Sequence, residues 1–98
     1  MLEHVSDWRS AVSNLKNALR VNGHLLVTTR SIGFGYHEHP TDYWRFEVGD
    51  IEPIFGDLEL IAAERDPEEP GIFVYGGMPE SFIERDLSSY QVYAMEQP

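Results

Sequence analysis

The sequence predicts one small α/β domain, and three observations carry that prediction. An amphipathic segment near the start is followed by a strand apolar on both faces, and then by two short strands joined by a turn-rich connector. Trp8, Ala11, Val12, Leu15, Ala18 and Leu19 recur at helical spacing, the pattern of a helix with one face on a core. Ser6 or Asp7 is a candidate cap, and Gly23 a candidate left-handed stop. The predicted helix runs from about residue 7 to 20.

His24-Leu25-Leu26-Val27-Thr28-Thr29-Arg30 follows at once. Three consecutive apolar residues ask for cover on both faces, which is how a central strand of an α/β sheet reads. Ser31 to Asp42 is a loop rich in Gly, His and Pro. Asp50 can cap a short helix of one to two turns, with Pro53 in its first turn and Gly56 at its end. A start at Val48 would put Pro53 in the helix interior, where it is costly. Leu58–Arg65 and Gly71–Gly76 then read as strands, and Asp66-Pro67-Glu68-Glu69-Pro70 between them predicts an antiparallel hairpin. The tail from Met78 to Pro98 is expected to pack on the sheet or extend it through Tyr90–Met95. Three or four strands result, in one domain spanning 1–98.

A chain of 98 residues buries roughly two-thirds of its unfolded surface, enough for one modest core. The absence of cysteine excludes disulfides, thiolate metal sites and a Cys nucleophile. No apolar run reaches the length of a membrane span and no signal segment follows Met1, so a cytoplasmic protein without membrane contact is expected. The net charge is -10. Residues 1–50 hold five basic and six acidic groups, a net of -1; residues 51–98 hold two and eleven, a net of -9. Such a surface repels phosphate backbones, so nucleic acid is an unfavourable partner.

Three segments carry the candidate chemistry. Glu3-His4-Val5 offers His4 as a base or substrate ligand and Glu3 as its orienter, or else two polar residues ahead of a helix. In His37-Glu38-His39, alternate residues of an extended segment point the same way. His37 and His39 can therefore share a metal, with Glu3 or His4 completing the set. Asp42-Tyr43-Trp44-Arg45-Phe46 gathers three aromatics around one arginine. Tyr43 and Trp44 are candidates for stacking on a substrate, and Arg45 for pairing with its carboxylate or phosphate. The alternative is an aromatic plug under a loop, with Arg45 held by Glu47 or Asp42. Gly33-Phe34-Gly35 is no phosphate cradle, because no third glycine and no helix follow it.

Taken with Asn22-Gly23-His24-Leu25-Leu26-Val27-Thr28-Thr29, Glu3-His4-Val5 and the His37 to Phe46 segment resemble the second half of a class I S-adenosylmethionine-dependent methyltransferase over about residues 1 to 90. The resemblance implies a truncated, Rossmann-like α/β half-domain. In it, residues 24–30 are the fifth strand, and the hairpin forms the sixth and seventh, the seventh antiparallel beside the fifth. It places Glu3 and His4 after the fourth strand, near the methionine end of the cofactor and the substrate, and Tyr43, Trp44 and Arg45 over the substrate side. The Glu-His pair with a later His also looks like the metal site of small-RNA 2′-O-methyltransferases. Those enzymes carry a further Glu three residues before the pair, a position that would precede Met1.

The family binds S-adenosylmethionine through a glycine-rich turn after the first strand and an acidic residue ending the second. Neither motif is among these residues, so the isolated chain is expected to bind no cofactor and to be inactive as a methyltransferase. Strand 24–30 is expected to expose an edge and the sheet a bare apolar face, which calls for a homodimer. The expected function is thus a non-catalytic, dimeric interaction or ligand-binding module. The alternatives are a methyltransferase completed by another chain carrying the first half, and a metal-binding enzyme built on His4, His37 and His39.

Overall fold

Helix α1 comprises Trp8–Asn17 and follows a short 3-10 turn at Leu2–His4 in the computed structural model, which describes residues 2–36 and 42–95. Asp7 caps α1, its two carboxylate oxygens accepting from the Ser10 amide at 3.2 Å and the Ser10 hydroxyl at 2.7 Å. The helix stops three residues short of the expected end. Its reversal is made by Asn22, the left-handed residue (φ 67°), and not by Gly23. Asparagine tolerates that conformation. Gly23 serves the turn differently, since a Cβ there would lie 2.8 Å from the Arg20 carbonyl oxygen.

Strand β1, His24–Arg30, keeps the predicted bounds. After it come β2 (Trp44–Arg45), helix α2 (Val48–Phe55), and strands β3 (Glu59–Arg65) and β4 (Gly71–Gly77). A final strand β5, Tyr93–Ala94, pairs with β2 in a separate two-stranded ribbon. The main sheet has the order β1-β4-β3 and is antiparallel throughout. A bulge shifts the β3 register between Leu60 and Ala62. The described residues thus form a small α/β fold with five strands, one more than the upper expectation of four.

Two expectations are corrected. Helix α2 does start at Val48, so Pro53 lies inside it. Asp50 acts from within the first turn, its carboxylate accepting from the Glu47 amide at 2.7 Å. The cost of the interior proline is offset by full burial of Ile51, Ile54 and Phe55, each contributing about 1.5–3 kcal/mol relative to exposure. Strand β1 lies at the sheet edge, as the truncated half-domain implies, but one of its faces is wet where cover on both was expected. Val27 and Thr29 are buried, whereas His24, Leu26 and Thr28 are exposed, Leu26 at 63%.

The core lies between the two helices and the inner face of the sheet. Val27, Ile72 and Val74 belong to one buried cluster with Trp8, Val12, Ile54 and Phe55. Trp8 meets Phe46 edge-on, with ring centroids 5.6 Å apart. Among the described residues, no helix is long and apolar enough to cross a membrane.

The tail after β4 straps the helices rather than widening the main sheet. Arg85 spans the Glu52 carboxylate, donating at 2.8 and 3.2 Å, and lowers its pKa. Arg9 donates to the Leu87 carbonyl at 2.9 Å and to that of Tyr90. The Tyr90 hydroxyl donates to Asp50 at 2.6 Å. Burial, together with that bond and the Asp50 charge, pushes the Tyr90 pKa up from 10.0 to about 12. The folded state therefore favours the neutral phenol, and its contribution is complete below pH 10 and lost as pH rises towards 12. Tyr90→Phe is expected to flatten the fall in urea stability over that interval relative to the native chain. An unchanged slope would place the strap's anchor elsewhere.

Candidate functional site

The carboxyl end of β1 meets the 3-10 turn. Thr29 points inward there, and its hydroxyl donates to Glu3 Oε1 at 2.8 Å in a buried contact. The Glu3 main chain is held from the other side, its carbonyl accepting from the Tyr43 amide at 2.8 Å. His4 Nε2 lies 3.6 Å from Glu3 Oε2, close enough for charge attraction but long for a hydrogen bond. Burial works to raise the Glu3 pKa, but hydrogen bonds to the carboxylate, Thr29's among them, outweigh it and the pKa lies below its usual value. The site thus offers an ionised carboxylate, nine-tenths buried, beside an imidazole. This pair can orient or polarise a hydroxyl or amine.

A small cavity of about 110 Å³ opens at this point, lined by Glu3, Thr28, Thr29, Arg30, Asp66 and Phe73. Arg30 spreads over the Phe34 ring, 4.5 Å from its centroid. Its guanidinium also lies 3.8 Å from Asp66 and 3.3 Å from Glu69. The cavity therefore has a basic wall balanced by its own acidic neighbours.

The remaining sequence candidates divide. Trp44 is half-buried and donates from Nε1 to the Val5 carbonyl at 2.7 Å. Tyr43 leans on it, with centroids 6.3 Å apart. Both aromatics therefore border the Glu3-His4 turn. Arg45 is fully buried and belongs to a different cluster. It grips both Asp42 oxygens at 2.5 and 2.6 Å, and donates to the carbonyls of Phe34, Gly35 and Trp44. Those five contacts use all five guanidinium N–H groups. Arg45 thereby fastens the loop after β1 to β2. His37 and His39 lie outside the described residues. Among the described residues, no three metal-binding side chains come together.

Sequence reasoning missed Thr29, which orients Glu3, because a threonine in an apolar strand reads as ordinary β-propensity. Its signal was positional: it precedes the last residue of a strand whose carboxyl end was already the expected site. It missed Lys16 and Asp57 too, a buried ion pair at 2.9 Å far from this cavity. A larger hollow of about 600 Å³ lies between α1 and the tail strap. It is open, and Arg9 and Arg85 on its rim are committed to the strap contacts.

Compared with protein-family models, curated proteins and solved structures, the chain matches none of them.

Proposed function

We propose that this chain is the substrate-side half of a class I methyltransferase-like domain, which does not hold S-adenosylmethionine by itself and works as an interaction module. The observation that carries this reading is the strand order β1-β4-β3, with β4 antiparallel to β1. It is the order expected of the fifth, seventh and sixth strands in that family. The Glu3-His4 pair beside the carboxyl end of β1 adds support, since α/β sheets bind ligands beyond the carboxyl ends of their strands.

The described residues do not fit the cofactor. Gly33 in the loop after β1 has a φ of 106° and packs near Pro70, and among the described residues no helix opens behind it to point amides at a ligand. The cavity beside Glu3, about 110 Å³, is well short of the ~300 Å³ that a drug-sized ligand needs. It suits the reacting end of a small acceptor, held by Glu3 and His4 with Tyr43 and Trp44 alongside. A second reading, in which another unit completes the enzyme, is favoured by the edge position of β1, which leaves room for a further strand. A cytoplasmic location is part of the same proposal.

Titration calorimetry with S-adenosylmethionine tests it. The expected result is binding weaker than about 1 mM, or less than about 4 kcal/mol. Micromolar binding by the chain alone would overturn the reading.

A further inference from the structure

The outer face of the sheet is left uncovered by the two helices. Strand side chains alternate between faces, so the register assigns its rows. They are His24, Leu26, Thr28 and Arg30 on β1, Phe73 and Tyr75 between two glycines on β4, and Glu59, Ala62 and Glu64 on β3. Leu26, Tyr75 and Ala62 share one level and form an apolar bar across the sheet. Leu26 is 63% exposed, and Ile61, in the bulge beside Ala62, is 55% exposed. Glu59 lies one level to one side of the bar, and Glu64, beside Phe73, one level to the other. Both acids are exposed, and neither has a hydrogen bond or ion pair among the described residues. Arg30, in contrast, is engaged within the chain, over the Phe34 ring and against Asp66 and Glu69. With His24 neutral, the face and the turn that borders it set one cation against four carboxylates, a net of -3.

We propose, resting on the reading of this chain as an interaction module, that this face binds a basic amphipathic helix of another protein, laid along β4. Charge sets the sign of the partner. Nucleic acid, an acidic lipid surface and a second copy carrying its own -10 are all repelled, whereas a lysine- or arginine-rich partner is drawn to two uncommitted carboxylates. Shape sets its form. β1 and β3 lie two strand spacings apart, about 10 Å, which matches the ~10–12 Å diameter of a helix. Helices on both faces are a standard way to cover the sheet of an α/β domain, and here α1 and α2 cover only one. Glu59 and Glu64 are separated by four residues of β4, about 13 Å, or about nine residues of a helix rising 1.5 Å each. The partner therefore carries an apolar stripe for Leu26, Phe73 and Tyr75, with two cations about eight or nine residues apart on the flank above β3. The sheet face, about 23 by 14 Å, is smaller than the ~800 Å² per partner of a tight complex. The complex is therefore weak and salt-dependent.

Fluorescence polarisation at about 0.15 M salt tests this with a labelled leucine–lysine peptide of about 15 residues, helical, with one leucine stripe and lysines flanking it. The native chain is expected to bind it with a Kd of about 100 μM, and the glutamate-for-lysine counterpart not at all. Glu64→Lys and Glu59→Lys are each expected to weaken binding about fivefold, and Leu26→Asn about as much. Glu84→Lys makes the same change of net charge away from this face, where Glu84 accepts from Asn17 of α1 at 3.0 Å. It is expected to stay within about twofold of the native chain. Circular dichroism checks that each variant folds. No binding of the lysine peptide at about 1 mM overturns the proposal. So does a loss as large for Glu84→Lys as for Glu64→Lys, which would reduce the effect to net charge. A native chain that sediments as a dimer broken by Leu26→Asn overturns it too, because a second copy then occupies the face. S-adenosylmethionine titrated into the same sample separates the two readings. Micromolar cofactor binding defeats the proposed function whatever the peptide does, whereas a chain that binds neither cofactor nor peptide defeats only the helix-binding face.

Discussion

Arg45→Met is expected to leave the protein largely unfolded at room temperature. Arg45 and Asp42 are both fully buried, and their contacts at 2.5 and 2.6 Å form a two-pronged pair. Removing the cation takes the two-pronged partner away from the buried Asp42 carboxylate, a loss of about 3–5 kcal/mol. The carbonyls of Phe34, Gly35 and Trp44 lose a donor as well, and each buried acceptor left unmade costs about 1–3 kcal/mol. The total is comparable with the ~5–15 kcal/mol that holds a small domain folded. Asp42→Asn is the milder variant, because the amide oxygen still accepts from the guanidinium. Arg45→Met/Asp42→Leu should recover only part of the loss, since it removes the buried charge and leaves the three carbonyls without the guanidinium. Urea unfolding followed by circular dichroism measures all three. A native-like midpoint for Arg45→Met would show that the loop after β1 is fastened by something other than the guanidinium.

The same arginine shows how far the sequence could be read. Both roles for Arg45, substrate ligand or partner of Asp42, were visible in Asp42-Tyr43-Trp44-Arg45-Phe46. Choosing between them requires knowing where the loop at residues 31–36 returns, and no local pattern records that. The carbonyls of Phe34 and Gly35 reach Arg45 only because the chain folds back. Local rules did better where one local cause dominates. The bounds of β1, the hairpin β3-β4 and the Asp7 cap follow from an apolar run, turn residues and a single side chain. They failed where tertiary packing outweighs them. Pro53 was expected to forbid a helix start at Val48, yet burial of Ile51, Ile54 and Phe55 outweighs one lost backbone bond. Leu25-Leu26-Val27 was read as a strand covered on both faces, although Leu26 is exposed in the single chain. Glu3 and His4 were read as neighbours in a site, and the 3-10 turn does set them side by side. The Thr29 hydroxyl that holds Glu3 comes from 26 residues away, a distance that no motif spans.

Lys16→Met should be costly alone and nearly harmless in combination, and the contrast with Arg45 makes this a test of principle. Lys16 lies four residues after Val12 and eight after Trp8, within the apolar stripe of α1, and it is fully buried. Its ammonium donates to Asp57 at 2.9 Å and to the Ile54 carbonyl at 2.5 Å, near the Phe55 ring. The Asp57 side chain is only 2% exposed. Its second oxygen is buried with no hydrogen-bond partner among the described residues. Lys16→Met leaves that carboxylate with the Arg85 amide alone, and a loss of about 3–5 kcal/mol is expected. The pair is already imperfect, however, because one carboxylate oxygen pays for burial without a partner. Lys16→Met/Asp57→Leu removes the cation, the anion and that orphan oxygen together, leaving only the Ile54 carbonyl and the Arg85 amide to find new partners. Apolar replacement of a buried ion pair is often neutral or stabilising, so the double variant should unfold within about 1 kcal/mol of the native protein. The coupling energy from the four-way cycle should then exceed about 2 kcal/mol, with the single loss recovered. Additive losses in urea unfolding would mean that Lys16 and Asp57 stabilise the fold separately, Lys16 through its bond to the Ile54 carbonyl and Asp57 through its hold on the Arg85 amide of the tail strap.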